Sequence, residues 1–401
     1  MAHYDYLIIG GGMTADAAAR GIREADAKGS IGLISAEVHP PYNRPPLSKG
    51  LWKGDAPDSI WRKTEDTGAT LHLGRRVTGI DVAGARVTDD RDGTHTFGKL
   101  LLATGGAPRR LPLESEQIIY FRTYDDYTRL RALAERSLRF AVIGGGFIGT
   151  EIAAALRMQG RDVTMLVPEQ GLGARVFPAD LSRFLVDYYR EKGVTVRIGE
   201  GMRGLRPQGG RVAIQTTTGQ EFEADVVVAG LGIQPNVELA EQAGARVDNG
   251  IVVDESLRTS LPNVYAAGDV ANFHNPALGT RLRVEHEDNA NTMGRAAGLN
   301  MAARSTPYHH LPFFYSDLFD LGYEAVGDTD ARHESVADWK TPFREGVIYY
   351  LKEGRVRGVL LWNTWGQVDA ARALIAEPGP FTAPSLHGRL PAGADSAAGH
   401  G

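Results

Sequence analysis

Two stretches decide the fold of this chain: LIIGGGMTADAAA at residues 7–19 and AVIGGGFIGTEIAAA at residues 141–155. Each passes from an apolar run, through closely spaced glycines, into an alanine-rich segment with helical spacing. Glycine allows a tight turn and lets a pyrophosphate approach the N–H groups at the start of a helix. Each stretch therefore predicts a Rossmann-type strand–turn–helix that binds a dinucleotide. The residues in the G-x-G-x-x-G/A frame are Gly10, Gly12 and Ala15 in the first stretch and Gly144, Gly146 and Gly149 in the second.

An acidic residue after the second strand of such a unit bonds the ribose hydroxyls of the dinucleotide. Glu37 follows the strand IGLIS in the first unit. In the second unit the nearest acid after DVTMLV is Glu169, two residues later than the usual frame. Both are predicted ribose ligands. The alternative for each is an ordinary solvated acid at a strand end.

Composition excludes several function classes. The 401 residues include no cysteine, which removes disulfides, thiolate zinc sites and cysteine-ligated iron–sulfur clusters. The pair His309-His310 has no third ligand at useful spacing, so no metal site is predicted. A net charge of −5 gives no general attraction to nucleic acid or anionic membranes. No apolar run is long enough to span a bilayer, and the first strand starts too early for a signal peptide, so a cytoplasmic protein is expected.

Further strings resemble one family. They are LLLATGGAPRRLP at 100–112, AGLGIQPNVELAEQAG at 229–244 and NVYAAGDVANF at 263–273. In this order, with the two glycine stretches, they resemble the pyridine nucleotide–disulfide reductase-like flavoproteins over nearly all of residues 4–375. PPYNRPPLSKGLW (40–52), RVEHEDNA (283–290) and FFYSDLFDLGYEAVG (313–327) are similar to the branch of oxygenase-coupled ferredoxin reductases and apoptosis-inducing factor.

The resemblance implies an α/β fold with two Rossmann-like domains and a C-terminal α/β domain. The FAD-binding domain would comprise residues 1–115 and 245–305, split around an NAD(P)H-binding domain at 116–244. The C-terminal domain would comprise 306–376. A flexible tail is expected at 377–401, because that stretch is rich in Pro, Gly, Ala and Ser.

The resemblance also implies the residues of the site. Lys49 and Glu151 would pair beside the flavin as catalytic residues, although a salt bridge without a redox role is the alternative. Phe147 would guard the nicotinamide position, or else be a core residue. The implied FAD contacts, besides Gly10, Gly12, Ala15, Glu37 and Lys49, are Arg44, Val77, Ala103, Thr104, Gly105, Arg122, Gly268, Asp269, Glu285, His286, Glu287 and Tyr315. The implied NADH contacts are Gly144, Gly146, Phe147, Ile148, Glu169, Arg175 and Gly232.

Two positions depart from the family pattern. Glu287 stands where the family usually has Trp or His after the Glu-His pair, and Tyr315 stands where it has Trp. Both would lie where electrons leave the flavin, so the partner's identity does not carry over directly. For the donor, the Glu169 carboxylate favours NADH over NADPH, while Arg175 six residues later keeps NADPH open.

The expected activity is that of an NADH-dependent flavoprotein reductase. A hydride would pass from NADH to FAD, and electrons would then pass to a ferredoxin- or rubredoxin-type iron–sulfur protein. The alternatives are a redox-sensing protein like apoptosis-inducing factor, with a stable reduced flavin–NAD charge-transfer complex, and a quinone or monodehydroascorbate reductase. A monomer or a homodimer is expected, with an assembly state that depends on redox state in the sensing alternative. The lack of cysteine excludes the dithiol route of the disulfide reductases.

Overall fold

The computed structural model describes residues 2–112 and 115–390. The described chain divides into two compact units. The first unit holds residues up to 44, 57–107 and 234–312, and the second unit holds 45–56, 108–233 and the part from 313 onward. Two short strands lie where the chain passes from one unit to the other, Gly106–Pro108 and Ile233–Pro235. In the described part of the chain, no helix combines the length and the apolar character that crossing a membrane requires.

The first unit is built on a mostly parallel sheet around the strand Ala2–Ile9. Leu7 of this strand lies opposite Gly32 on one side and Leu100 on the other, and Leu7 and Leu100 are fully buried. The burial of continuous apolar runs is what a parallel sheet covered on both faces requires. The strands in sheet order are Thr70–His72, Ile31–Ile34, Ala2–Ile9, Thr94–Leu102, Arg86–Asp89 and Val77–Asp81, and Val264–Ala266 also pairs with Thr94–Leu102.

Two helices of the first unit pack against each other closely. Helix Met13–Ala25 follows the first glycine stretch, and helix Glu287–Met301 lies along it. Gly298 allows the contact, since a Cβ there would lie 2.1 Å from the carbonyl oxygen of Ala18. The remaining elements are the three-stranded sheet Ile251–Val252, Ala271–Asn275 and Thr280–Leu282, the helix Glu238–Gln242 and the 3-10 turns Pro57–Ile60, Thr64–Thr67 and Gly268–Val270.

The second unit contains the other parallel sheet. Its strands in sheet order are Thr195–Ile198, Asp162–Val167, Arg139–Ile143, Val226–Ala229 and Ile118–Tyr120. Its helices are Tyr124–Arg136, Phe147–Met158 and Ala179–Glu191, and an antiparallel sheet is formed by Met202–Gln208, Arg211–Thr216 and Glu221–Ala224. Residues 45–56, which carry Lys49, form the turns Pro45–Leu47 and Gly50–Lys53 and belong to this unit.

The C-terminal part of the second unit is an antiparallel sheet with a short helix against it. Its strands in sheet order are Phe313–Leu318, Leu321–Gly327, Arg355–Trp362, Glu345–Lys352 and Glu334–Thr341, and its helix is Val368–Ala376. The predicted α/β class with two Rossmann-like sheets and a C-terminal α/β part is confirmed. The expected domain boundaries stay a prediction. The division into units differs from them at 45–56 and 108–115, which belong to the second unit, and at 234–244 and 306–312, which belong to the first.

The expected flexible tail is wrong for residues 377–390. This stretch contains the capped helix Ala383–Leu386, and Leu386 and Leu390 are buried. The N–H of Leu390 donates to the Tyr349 hydroxyl at 3.2 Å, and Gly388 donates to Asp338 at 2.7 Å. Composition suggested a loose tail, but two leucines at the right spacing anchor it to the sheet. Residues 391–401 lie outside the described residues.

Candidate functional site

The first glycine stretch forms a half-buried backbone turn at the start of helix Met13–Ala25. Gly10 has a φ of +130°, and a Cβ there would lie 2.1 Å from the carbonyl oxygen of Ala103. Only glycine fits this position. Gly12 caps the helix, and Ala15 is fully buried one turn later. The turn therefore presents unobstructed N–H groups at the positive end of a helix, as a pyrophosphate requires.

Glu37 and Arg44 meet beside this turn. The Arg44 guanidinium pairs with the Glu37 carboxylate at 2.5 Å, and the Tyr42 hydroxyl donates to the same carboxylate at 2.6 Å. A Cβ on Gly12 would lie 3.9 Å from Arg44 Nη2. Val77, 6% exposed, begins a strand at the edge of the same sheet. The predicted adenosine-side residues Gly12, Glu37 and Arg44 are therefore gathered in one place.

Thr104 and Asn236 lock the end of strand Thr94–Leu102. The Thr104 hydroxyl donates to the Asn236 carbonyl at 2.8 Å, and the Asn236 side chain donates back to the Thr104 carbonyl at 2.8 Å. The N–H of Asn236 also donates to Gly105 at 3.0 Å. The structure thus uses Thr104 to fix the turn that contains Ala103 and Gly105. Asn236 lies within the family string at 229–244, and no local pattern in the sequence indicates this role.

Asp269 and His286 lie near each other on two turns of the first unit. Gly268 and Asp269 start the 3-10 turn Gly268–Val270, and His286 caps helix Glu287–Met301. Burial lowers the pKa of His286 to about 4, although the carboxylates of Asp269 and Asp288 act in the opposite direction. The imidazole is therefore neutral at physiological pH.

Two acids flank this cap. Glu285 pairs with Arg283 at 2.7 Å. Glu287 lies in the first helical turn, where the helix dipole favours a carboxylate.

The second glycine stretch repeats this geometry in the second unit. Gly144 has a φ of +106°, and a Cβ there would lie 2.4 Å from the carbonyl oxygen of Gly230. Gly146 caps helix Phe147–Met158, and among the described residues no atom lies within 4 Å of where its Cβ would be. Ile148 is exposed, and Gly232 has a φ of +78°. The turn is open enough to accept a second dinucleotide.

Phe147 is partly exposed, and its ring lies 5.0 Å from that of Phe314. The aromatic side chain is therefore not enclosed in a core.

Glu169 and Arg175 lie within reach of each other. Glu169 follows strand Asp162–Val167, and its carboxylate is 3.5 Å from the Arg175 guanidinium. The Arg175 side chain is 89% exposed. A carboxylate for a ribose diol and a cation for a 2′-phosphate thus stand side by side.

Lys49 and Glu151 form a buried ion pair in the second unit. Lys49 Nζ lies 2.7 Å from Glu151 Oε1, and Glu151 is 4% exposed. The Ser316 hydroxyl donates to the same oxygen at 2.6 Å, and the Ser48 hydroxyl donates to Oε2 at 2.5 Å. The Lys49 ammonium also lies 5.1 Å over the Tyr315 ring. The predicted pair exists, and the two serines that complete it were missed, because contacts across 165 residues leave no local pattern.

Other residues singled out in the sequence make contacts within the fold. The backbone N–H of Arg122 donates to Asp126 beside the capping box of helix Tyr124–Arg136. His310 pairs with Asp288 at 2.6 Å. No cluster of three or more metal-ligating His, Cys, Asp or Glu side chains occurs within residues 2–112 and 115–390.

The predicted residues thus fall into two sets, one in each unit. Those of the first unit form a bare helix N-terminus, an acid and an arginine, which fit the pyrophosphate and ribose of FAD. Those of the second unit form a similar glycine turn and the Lys49–Glu151 ion pair. This arrangement fits a nicotinamide dinucleotide. Both glycine turns leave space that a Cβ would fill.

Comparison with known proteins agrees with this geometry. The family described as pyridine nucleotide-disulphide oxidoreductase matches residues 4–294, and the C-terminal domain of mitochondrion-associated apoptosis-inducing factor matches residues 329–377. The chain is 35% identical to the 5,5'-dehydrodivanillate O-demethylase ferredoxin reductase subunit of a Sphingobium species, with 94% of both chains covered. It is also 35% identical to the ferredoxin–NAD(+) reductase component of the anthranilate 1,2-dioxygenase system of Burkholderia cepacia, over 92% of this chain and 94% of that one.

Among solved structures, the covalent putidaredoxin reductase–putidaredoxin complex matches with a TM-score of 0.88 and 30% identity, over 94% of each chain. The resemblance inferred from the sequence is confirmed, and so are the cofactors FAD and NADH. The chain therefore belongs to the pyridine nucleotide-disulphide oxidoreductase family and is an FAD-containing oxidoreductase that uses NADH.

Proposed function

We propose that this oxidoreductase passes electrons from NADH through FAD to a ferredoxin-type iron–sulfur protein. The observation that carries the proposal is the ion pair of Lys49 with the buried Glu151, because Glu151 lies near the start of helix Phe147–Met158, which follows the second glycine stretch. A disulfide reductase of this family would need a cysteine pair at the flavin, and this chain contains no cysteine. Electrons must therefore leave from the flavin itself.

The proposed FAD site uses Gly10, Gly12, Glu37, Arg44 and Asp269 of the first unit. The other implied FAD contacts stay part of this proposal. They are Ala15, Val77, Ala103, Thr104, Gly105, Gly268, Glu285, His286 and Glu287, together with Lys49, Arg122 and Tyr315. FAD, when bound, supplies the chemistry that joins the two-electron donor NADH to a one-electron acceptor. The protein itself binds and orients the two cofactors and polarises the flavin.

The proposed NADH site uses Gly144, Gly146, Ile148, Gly232 and Glu169, with Arg175 at its edge. Phe147, partly exposed at the start of its helix, would cover the nicotinamide position and exclude water. Lys49 would place a positive charge beside the flavin, and Glu151 holds that ammonium in place through the ion pair.

The acceptor follows from the relatives. Two of them are ferredoxin reductase components, and one solved structure contains a reductase joined to putidaredoxin. These matches extend over almost the full length of both compared chains. We therefore propose an electron acceptor of the same class for this chain. Because NADH is an intracellular reductant, the proposed activity also implies a cytoplasmic location.

A second candidate function rests on the match of residues 329–377 to the C-terminal domain of apoptosis-inducing factor. In that case NADH would generate a long-lived reduced complex that changes the assembly state from monomer to dimer. Reduction of a quinone or of monodehydroascorbate also needs no thiol, so both stay open as acceptor reactions.

The test is NADH-driven reduction of cytochrome c with and without an added [2Fe–2S] ferredoxin. We expect reduction that depends on ferredoxin and saturates with it, and at least a tenfold loss in Lys49→Met. Lys53→Met is the matched control, since Lys53 pairs with Asp317 near the surface at 2.8 Å. Reduction of cytochrome c at one rate whether or not ferredoxin is present would contradict the proposed acceptor.

A further inference from the structure

Ser316 connects the C-terminal sheet to the buried acid Glu151. It lies on strand Phe313–Leu318, is 1% exposed, and donates its hydroxyl proton to Glu151 Oε1 at 2.6 Å. Lys49 Nζ contacts this same oxygen at 2.7 Å, while the other oxygen accepts from Ser48. One carboxylate oxygen is therefore shared between a serine hydroxyl and the lysine ammonium.

A buried tyrosine lies next to Ser316 in the sheet. Tyr323 is opposite Ser316 in the antiparallel register. Burial raises the pKa of Tyr323 well above its ordinary value, and the charge of Glu151 adds to this, so the Tyr323 hydroxyl stays neutral and adds no second negative charge near the carboxylate.

The surroundings of Ser316 and Tyr323 are apolar. Tyr323 is 1% exposed and stacks on Trp362 with ring centroids 5.8 Å apart. Phe177 and Phe314 contact the Tyr323 ring edge to face at 5.2 and 6.0 Å. In such apolar surroundings a hydrogen bond to a charged group is stronger than in water, and packing fixes the geometry of the donors.

We propose that Ser316 is a positioning residue for the oxidoreductase reaction. It holds Glu151 Oε1 in line with Lys49 and takes up part of the carboxylate's charge, so that more of the ammonium's positive potential acts outward on the flavin. This rests on the proposed placement of Lys49 beside the flavin.

The test is the midpoint potential of the bound flavin, measured by anaerobic dye equilibration on the FAD-loaded protein. Removing a donor leaves Lys49 to neutralise Oε1 alone, so Ser316→Ala should disfavour flavin reduction. We expect about a threefold smaller equilibrium constant for reduction, which is a fall of about 15 mV for a two-electron couple. Ser48→Ala, which removes the donor to the other carboxylate oxygen, should shift the potential in the same direction. Ser335→Ala, an exposed serine on another strand of the same sheet, should leave it unchanged.

Lys49→Met separates this inference from the proposed function. It should lower the potential by more than Ser316→Ala does. A shift in Lys49→Met with none in Ser316→Ala would overturn the role of Ser316 and leave the site intact. No shift in either variant would overturn the placement of Lys49 beside the flavin. If Ser316→Ala failed to retain FAD, an unchanged potential in Ser48→Ala would overturn the role of the serine donors to Glu151.

Discussion

Asp16 is a carboxylate without exposed surface on the first turn of helix Met13–Ala25. It accepts from Arg62 Nε at 2.7 Å, from Thr64 Oγ1 at 2.7 Å and from Arg20 Nε at 3.0 Å. Arg62 in turn donates to Asn43 at 2.7 Å, beside Arg44. The network therefore ties the glycine helix to the segment that carries the Arg44–Glu37 pair. Sequence reasoning did not find it, because these residues are far apart in the chain.

At this residue scale, Asp16→Asn should cost the first unit about 3 kcal/mol of stability, because it leaves the partly buried Arg62 charge without its partner. Urea unfolding, monitored by the release of flavin, measures this free energy of unfolding. Asp369→Asn is the matched control, since Asp369 also stands in a first helical turn but is 94% exposed and pairs with Arg372 at the surface. Its effect should be below about 1 kcal/mol. Equal losses in the two variants would contradict the structural importance of Asp16.

His286 provides a pH dependence. Its pKa is lowered from 6.5 to about 4, mainly by burial. The unfolded chain therefore binds this proton at a higher pH than the folded chain does. The stability contributed by the neutral imidazole is complete above pH 6.5 and is lost as the pH falls toward 4. His286→Gln does not titrate, so its melting temperature should fall less steeply than that of the wild type between pH 6.5 and 4.5. Parallel slopes would contradict the shift.

At the element scale, the glycine turns were predicted with their residues because their signal is local. A strand, a turn with fixed glycine spacing and a helix follow one another within 24 residues in the first unit and 20 in the second. The Lys49–Glu151 pair needed the family resemblance, and Ser48 and Ser316 needed the structure. The same contrast applies to the chain end, where composition suggested a flexible tail and buried Leu386 and Leu390 showed otherwise.

Substitutions in the two glycine turns should impair the binding of different cofactors. Gly10→Ala and Gly144→Ala each introduce a Cβ into a backbone carbonyl at a positive φ. We expect Gly10→Ala to lose FAD on purification. Gly144→Ala should keep FAD and lose at least tenfold in NADH affinity, measured by titration of flavin reduction. Gly160→Ala is the control, because its φ is also positive but its Cβ would have 4 Å of free space among the described residues. Loss of FAD in Gly144→Ala alone would reverse the assignment.

The strand end at Glu169 should set the choice between NADH and NADPH. Glu169→Ser removes the proposed ribose ligand and releases Arg175 from its pair with Glu169, so that Arg175 could contact a 2′-phosphate. We expect the ratio of kcat/KM for NADPH to that for NADH to rise at least tenfold, and Arg175→Ala in the same background to reverse most of that rise. An unchanged ratio in Glu169→Ser would show that the preference is set elsewhere.

At the scale of the whole molecule, the sequence predicted the two Rossmann-like sheets and the C-terminal domain, which the structure confirms. It did not predict that residues 45–56, which carry Lys49, leave the first unit and pack with the second. That division depends on tertiary contacts of Trp52, Leu51 and Gln159, for example the bond from the Gln159 side chain to the Trp52 carbonyl at 2.9 Å. No periodicity in the sequence records such contacts.

The central claim is that reduced FAD in this protein delivers electrons to a ferredoxin. The most direct measurement is anaerobic reduction of the holoprotein with one equivalent of NADH, followed by rapid mixing with oxidised [2Fe–2S] ferredoxin while the flavin and iron–sulfur absorbances are recorded. The account predicts flavin reoxidation within seconds, matched by ferredoxin reduction at two per flavin. A long-wavelength charge-transfer band that persists for minutes in the presence of ferredoxin, with a change in sedimentation, would contradict it and support the redox-sensing alternative.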